Sequence, residues 1–119
     1  MAKIMQQVVA EKTLGTGVKD DEGKIEMALL SPIALVQLTR VLDFGKKKYS
    51  EHNWRGGIKT SRLLSACLRH IFAYLSGEDC DPETGLSHIA HAMCCCMFII
   101  ELQVTRPELD DRYVVVVPQ

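Results

Sequence analysis

Apolar residues gather along this chain in three blocks, and the spacing inside each is that of a helix. Ser31 before Pro32 offers a cap followed by proline at the first helical position, and Leu35, Leu38 and Leu42 then recur at helical intervals, which predicts a helix over about 32–47. In the second block Thr60 or Ser61 can cap a helix on which Leu64, Cys67 or Leu68, Ile71 and Leu75 form one apolar stripe, and Gly77 marks its end. Asp81 followed by Pro82 reads as another cap with proline behind it. A third helix is expected from there to about Thr105, stopped by Pro107.

The middle of that third helix, AMCCCMFII, is apolar around its whole circumference and should be buried on all sides. A bundle of this size can scarcely do so alone, so the pattern predicts a homodimer or homotetramer in which partner subunits cover the helix. Before the first helix, residues 1–23 hold a short apolar patch (Val8, Val9, Ala10) and a glycine-punctuated acidic loop. After the third, RYVVVVPQ is expected to form a short strand or an extended arm packed on a neighbour. The fold class expected is all-α, a helical bundle forming one domain over 1–119, with arms at 1–23 and 107–119.

Composition narrows this picture. The 119 residues fit a single core, and 47% hydrophobic with 24% charged residues is ordinary for a soluble globular protein. Fourteen basic against fifteen acidic residues leave a net charge of −1, which argues against a nucleic acid polymer or an anionic membrane as partner. The N-terminus lacks the apolar core of a signal peptide, and the run from Ala92 to Ile100 is about half the roughly 20 residues of a membrane span. A cytosolic, cytoplasmic protein is expected. Five cysteines, three of them adjacent at 94–96, suit neither a disulfide framework nor paired zinc ligands, and read as reduced core hydrophobes.

Candidate chemistry concentrates in GEDCDPETGLSHIAHA. Thr84, His88, His91 and Cys95 follow at intervals of four, three and four, on one stripe of the expected helix with Asp81 at its cap end. An antiparallel hairpin would bring His70 opposite His91. The connection supplies Glu78, Asp79, Asp81 and Glu83, and such carboxylates repel one another unless protons or a hard cation such as Mg²⁺ or Mn²⁺ neutralise them. The alternative is a solvated acidic turn in which Asp81 only caps a helix. The histidines suit joint metal ligation or proton transfer, against the commoner buried histidine bonded to a neighbour. In the preceding loop Lys46, Lys47, Lys48, Arg55 and Lys59 would surround a phosphate-bearing ligand, with Tyr49, Asn53 and Trp54 available for hydrogen bonds and stacking on a nucleoside. The dipole of the first helix would explain the lysines, though not Asn53 or Trp54. Neither a P-loop nor a Rossmann glycine motif is present.

The succession FGKKKYSEHNW, LRH and GEDCDPETGLSHIAHA, over roughly residues 24–105, resembles the phage-encoded dATP/dGTP diphosphohydrolases, relatives of the MazG-like all-α nucleoside triphosphate pyrophosphohydrolases. The resemblance implies a metal-dependent enzyme that cleaves a purine deoxynucleoside triphosphate between its α- and β-phosphates, releasing the monophosphate and pyrophosphate and shaping the nucleotide pool of an infected bacterium. Carried onto this chain, it implies Glu78, Asp81 and Glu83 as metal ligands, Lys46, Lys48, Asn53, Arg55 and Arg69 for the phosphates and sugar, and Trp54 near the base. The wider MazG-like pattern has E-x-x-E on one helix and E-x-x-D on the next. Here the first reads CLRHIFAY and only Glu78 with Asp81 keeps the second spacing, which makes His70, His88 and His91 candidates to share the catalytic work with Glu78. Two rival accounts differ in class: a nucleotide-binding module without turnover, and a structural metal protein built on Cys94 to Cys96.

Overall fold

The computed structural model describes residues 15–119. Three α-helices carry the chain, α1 over Pro32–Lys48, α2 over Thr60–Leu75 and α3 over His88–Thr105, with short 3-10 turns at Met27–Leu29, Asn53–Gly56 and Pro107–Leu109. No strand occurs among the described residues, so the architecture is all-α as expected. The apolar patch at Val8 to Ala10 lies outside the described residues.

Each helix starts where a polar group meets its free amides. Ser31 Oγ accepts the Ala34 N–H at 3.2 Å and opens α1. For α2 neither Thr60 nor Ser61 acts as the cap. The preceding Lys59 offers no side-chain bond, and the free amide of Ser61 instead donates to Asp111 Oδ1 at 2.8 Å while its hydroxyl donates to Oδ2 at 2.5 Å. A carboxylate from the far end of the chain thus serves the helix N-terminus, and these bonds hold the Asp111 carboxyl below its usual range.

The third helix begins six residues later than the Asp81–Pro82 pair suggests. Residues 81–86 form a closed turn instead, with Asp81 N–H on the Leu86 carbonyl at 2.8 Å and Gly85 N–H on the Asp81 carbonyl at 2.7 Å. Gly85 sits at φ +71°, so a helical turn begun at Pro82 cannot propagate through it, and Ser87 Oγ then accepts the Ile89 and Ala90 amides to start α3 at His88. Asp81 caps the turn rather than a helix. Its Oδ1 takes the Glu83 N–H at 2.7 Å.

The core forms because α3 lies against both other helices. Small residues on α3 allow the approach: Ala90 and Cys94 meet Leu38 and Val41 of α1, whereas Ala92 and Cys95 meet Cys67 of α2. Leu102 and Leu63 close over Trp54 at the far end. Burial of α3 is nonetheless one-sided, since Ile89, Ile100 and Val104 remain 44%, 66% and 81% exposed. The stripe expected to be the core face of α2 is likewise displaced. Leu63 and Cys67 are buried, while Leu68, Ile71 and Leu75 stay exposed, because the apolar arc of α2 is wider than one helix contact can cover. The tail from Tyr113 to Val117 is an exposed extended arm with no strand pairing among the described residues.

Candidate active site

Antiparallel packing of α2 and α3 brings three histidines into one cluster. The rings of His70 and His91 stack with centroids 4.5 Å apart and planes 6° apart, and His70 and His88 meet through their Nδ1 atoms at 2.9 Å. Asp81 Oδ2 lies 3.8 Å from His70 Nδ1. His70 and Asp81 are each about four-fifths buried, and His88 is 4% exposed. On its other side the His88 ring places Nε2 2.6 Å from Glu78 Oε1. The connecting turn fixes the acids: Gly77, at φ +100°, ends α2, and Glu78 N–H returns to the Ala73 carbonyl at 3.0 Å.

One imidazole nitrogen each from His70 and His88 and one carboxylate oxygen from Asp81 lie within 4.8 Å of one another, the spacing at which one ion can share them. The carboxylates named from sequence distribute differently. Asp81 joins the cluster, Glu78 holds His88 from behind, and Glu83 reaches Lys48 Nζ at 2.6 Å. Two imidazoles with one carboxylate suit Mn²⁺ better than Mg²⁺, and a carboxylate behind a ligating histidine is the usual orienting partner of such a site.

His91 is placed by Thr84, whose Oγ1 lies 2.8 Å from His91 Nε2 and also accepts the Leu86 N–H at 3.1 Å. Thr84 makes this contact from the turn, not from the helical stripe on which the spacing put it. Burial lowers the pKa of both His70 and His91, with mutual repulsion adding to it at His70 and Asp81 opposing it at both. Neutral imidazoles are the form that binds metal or accepts a proton.

His70, His91 and Asp81 of the cluster line a cleft of about 720 Å³, within the range of small-ligand sites. Lys46, Lys48 and Arg69 stand along it, and Val41, Met97 and Phe98 provide an apolar wall. Tyr49, Asn53, Trp54 and Arg55 also border it, whereas Lys59, Glu78 and His88 do not. Several of the basic-loop residues already have partners: besides Lys48, which reaches Glu83, Lys46 lies 3.9 Å from Glu51. Trp54 is 9% exposed and stacks on Phe98 at 4.3 Å, and Arg55 lies over Trp54 while its Nε donates to Glu101 at 3.0 Å and its Nη1 meets His52. Arg69 has no ion pair among the described residues. Phe98 and Glu101 are the residues that sequence reasoning missed. Phe98 follows His91 by seven positions, two helical turns along the same line, and that spacing was the available signal.

The cysteine run divides among different surroundings. Cys94 packs with α1 and Cys95 with α2, and burial pushes their thiols up to about 12 and about 11, whereas Cys96 is exposed with Sγ 3.8 Å from that of Cys67. Consecutive sulfurs facing different ways do not build one metal site. Cys94 and Cys95 serve as small core hydrophobes, whereas Cys96 stays at the surface.

The family described as dATP/dGTP diphosphohydrolase, N-terminal, matches residues 15–112. A dATP/dGTP diphosphohydrolase of Salmonella phage PMBT28 is 44% identical over 97 residues, which cover 82% of this chain and 33% of that protein. The chain thus spans about a third of the length of its curated relative. No solved structure matches it. From the histidines and acids at the α2–α3 turn to the lysines beside them, the whole lining of the cleft falls inside the matched residues, and the chain belongs to the dATP/dGTP diphosphohydrolase N-terminal family.

Proposed function

We infer that this chain is the catalytic unit of a metal-dependent diphosphohydrolase that takes dATP or dGTP to the monophosphate and pyrophosphate. The observation that carries the reading is the convergence of His70 and Asp81, with the buried His88 in contact with His70, beside a cleft that Lys48 and Arg69 also line. His70, His88 and Asp81 would hold Mn²⁺ or Mg²⁺, with Glu78 orienting His88. When bound, such an ion withdraws charge from phosphoryl oxygens and favours ionisation of water.

The remaining work falls to side chains. Lys46, Lys48 and Arg69 face the triphosphate and offset the charge that gathers on departing pyrophosphate. In the tautomer that donates Nε2–H to Thr84 Oγ1, His91 keeps Nδ1 free to take a proton from the attacking water. The wall of Phe98, Met97 and Val41 offers the purine an apolar surface, and Asn53 a hydrogen-bonding edge. The enzyme acts in the cytoplasm of an infected cell as an assembly of two or four copies. Although α3 is long and apolar enough to cross a membrane by length and composition, its packing between α1 and α2 and its two site histidines support a place within the fold.

Product analysis with each of the four dNTPs, with and without Mn²⁺, tests the reading. Metal-dependent release of dNMP and pyrophosphate from a purine substrate is expected. Nucleotide binding with every triphosphate left intact would replace the enzyme with a nucleotide-binding module.

A further inference from the structure

We propose that Arg106, which lies outside the cleft, is a positioning residue for its base-binding side: the guanidinium fixes the backbone of the Asn53–Gly56 turn and so sets where the Asn53 carboxamide meets the purine. The inference rests on the reading of the cleft as a purine nucleotide site and adds to it the selection of the base.

The turn is not held by its own backbone preference. His52 enters it at φ +61°, a left-handed conformation that residues other than glycine seldom adopt, and Gly57 leaves it at φ +109°. Between them the Asn53 N–H donates to the Ser50 carbonyl at 3.3 Å and the Gly57 N–H to that of Trp54 at 3.0 Å. No hydrogen bond restrains the Asn53 side chain among the described residues. Its place at the border of the cleft therefore depends on what grips the turn from outside.

That grip comes from one line of α3. Phe98 stacks on Trp54 with ring centroids 4.3 Å apart, Glu101 takes the Arg55 Nε–H at 3.0 Å, Leu102 packs on Trp54, and Arg106 Nη1 donates to the Gly56 carbonyl at 2.8 Å. Positions 98, 102 and 106 follow one face of the helix to its end. The first three ties hold side chains, which can turn about their own bonds without moving the main chain. Arg106 alone of the four holds the backbone itself. Its aim is set from two sides. Nε donates to Glu108 at 2.5 Å, and Gly57 lets the guanidinium come close, since a β-carbon there would lie 3.1 Å from Nη1. Arg106 does not border the cleft, so it acts only through the turn.

A loosened turn leaves the phosphate-facing groups in place, because Lys46 and Lys48 stand on α1, Arg69 and His70 on α2, and Asp81 in the connection to α3. The loss should fall on the base and not on the phosphates.

Steady-state kinetics of the whole chain as Arg106→Ala and as Arg106→Lys, with dGTP, dATP and dTTP at saturating Mn²⁺, test this beside acrylamide quenching of Trp54, the chain's one tryptophan, without nucleotide. In Arg106→Ala the KM for the preferred purine is expected to rise about two- to tenfold, the scale of one lost hydrogen bond. The kcat and the half-saturating Mn²⁺ should stay unchanged, dTTP should be hardly affected, and Trp54 should be quenched more readily. Arg106→Lys, which can still donate to the Gly56 carbonyl, should recover most of both effects. An unchanged KM in Arg106→Ala overturns the proposal, as does a loss confined to kcat or shared equally by dTTP. If the parent chain binds nucleotides without cleaving them, the cleavage reading fails alone, and dissociation constants of dGTP and dTTP must show the same pattern in place of KM. Unaltered quenching of Trp54 overturns the proposal whatever the nucleotide result.

Discussion

The Nδ1 atoms of His70 and His88 approach to 2.9 Å, so a proton on one excludes a proton on the other. The contact joins α2 to the first residue of α3 and ties the two helices together next to the cleft that His70 lines. Anything that alters the His88 ring therefore alters His70.

Glu78 is the group that holds that ring from outside, through Nε2. Glu78→Gln keeps the shape and removes the charge, and is expected to weaken the effect of Mn²⁺ by about 10- to 100-fold, the usual scale for a carboxylate behind a ligating histidine. Titrating pyrophosphate release against Mn²⁺ measures this. An unchanged half-saturating concentration would remove Glu78 from the site.

His91 and Thr84 should separate from the metal cluster. His91→Asn is expected to lower kcat by about 10²–10⁴-fold, the range for a lost general base, while the Mn²⁺ requirement stays where it was. Thr84→Val should do the same more mildly, by freeing the ring that Thr84 now orients. A shift in metal dependence with kcat untouched would make His91 a ligand instead.

The thiols should differ in reactivity. Native protein treated with iodoacetamide at pH 8 is expected to label Cys80, which is exposed, and to leave Cys94 and Cys95 unmodified. Their pKa values, near 12 and 11, leave almost no thiolate at that pH, and burial excludes the reagent. Peptide mass spectrometry reads the result. Denaturant should make all five equivalent.

Gly57 sits at φ +109°, and a β-carbon there would lie 2.6 Å from Leu109 Cδ1. Gly57→Ala is expected to cost about 1–3 kcal/mol from backbone strain, measured by urea unfolding, with the Trp54 fluorescence of the folded state changed because the two residues share one loop. A variant as stable as the parent would show that the loop rearranges freely.

Much of this architecture can be read from residue order, and the failures have physical causes. The Ser31–Pro32 start and three terminal lysines place α1 within a residue of its observed Pro32–Lys48, because both signals act on the local backbone. The opposition of His70 to His91 follows from equal distances on either side of a turn. The Asp81–Pro82 pair misleads because the same two residues open a tight turn as readily as a helix, and Gly85, four positions on, decides between them. On α2 several neighbouring lines are apolar, so periodicity alone could not tell Leu63 and Cys67, which meet α3, from Leu68 and Leu75, which do not. The partners of Glu78, Glu83 and Arg55 depend on side-chain reach across elements, which spacing does not encode.

The bonds from Ser61 to Asp111 tie the order of synthesis to the order of assembly. Fifty residues separate the two, so the helix that carries His70 emerges from the ribosome long before the group that completes its first turn. A chain released just after Thr105 would possess every histidine and acid of the cluster and still lack the anchor at the base of α2. Closing so long a segment carries an entropic penalty that local contacts do not. The last stretch made thus finishes a helix begun fifty residues earlier.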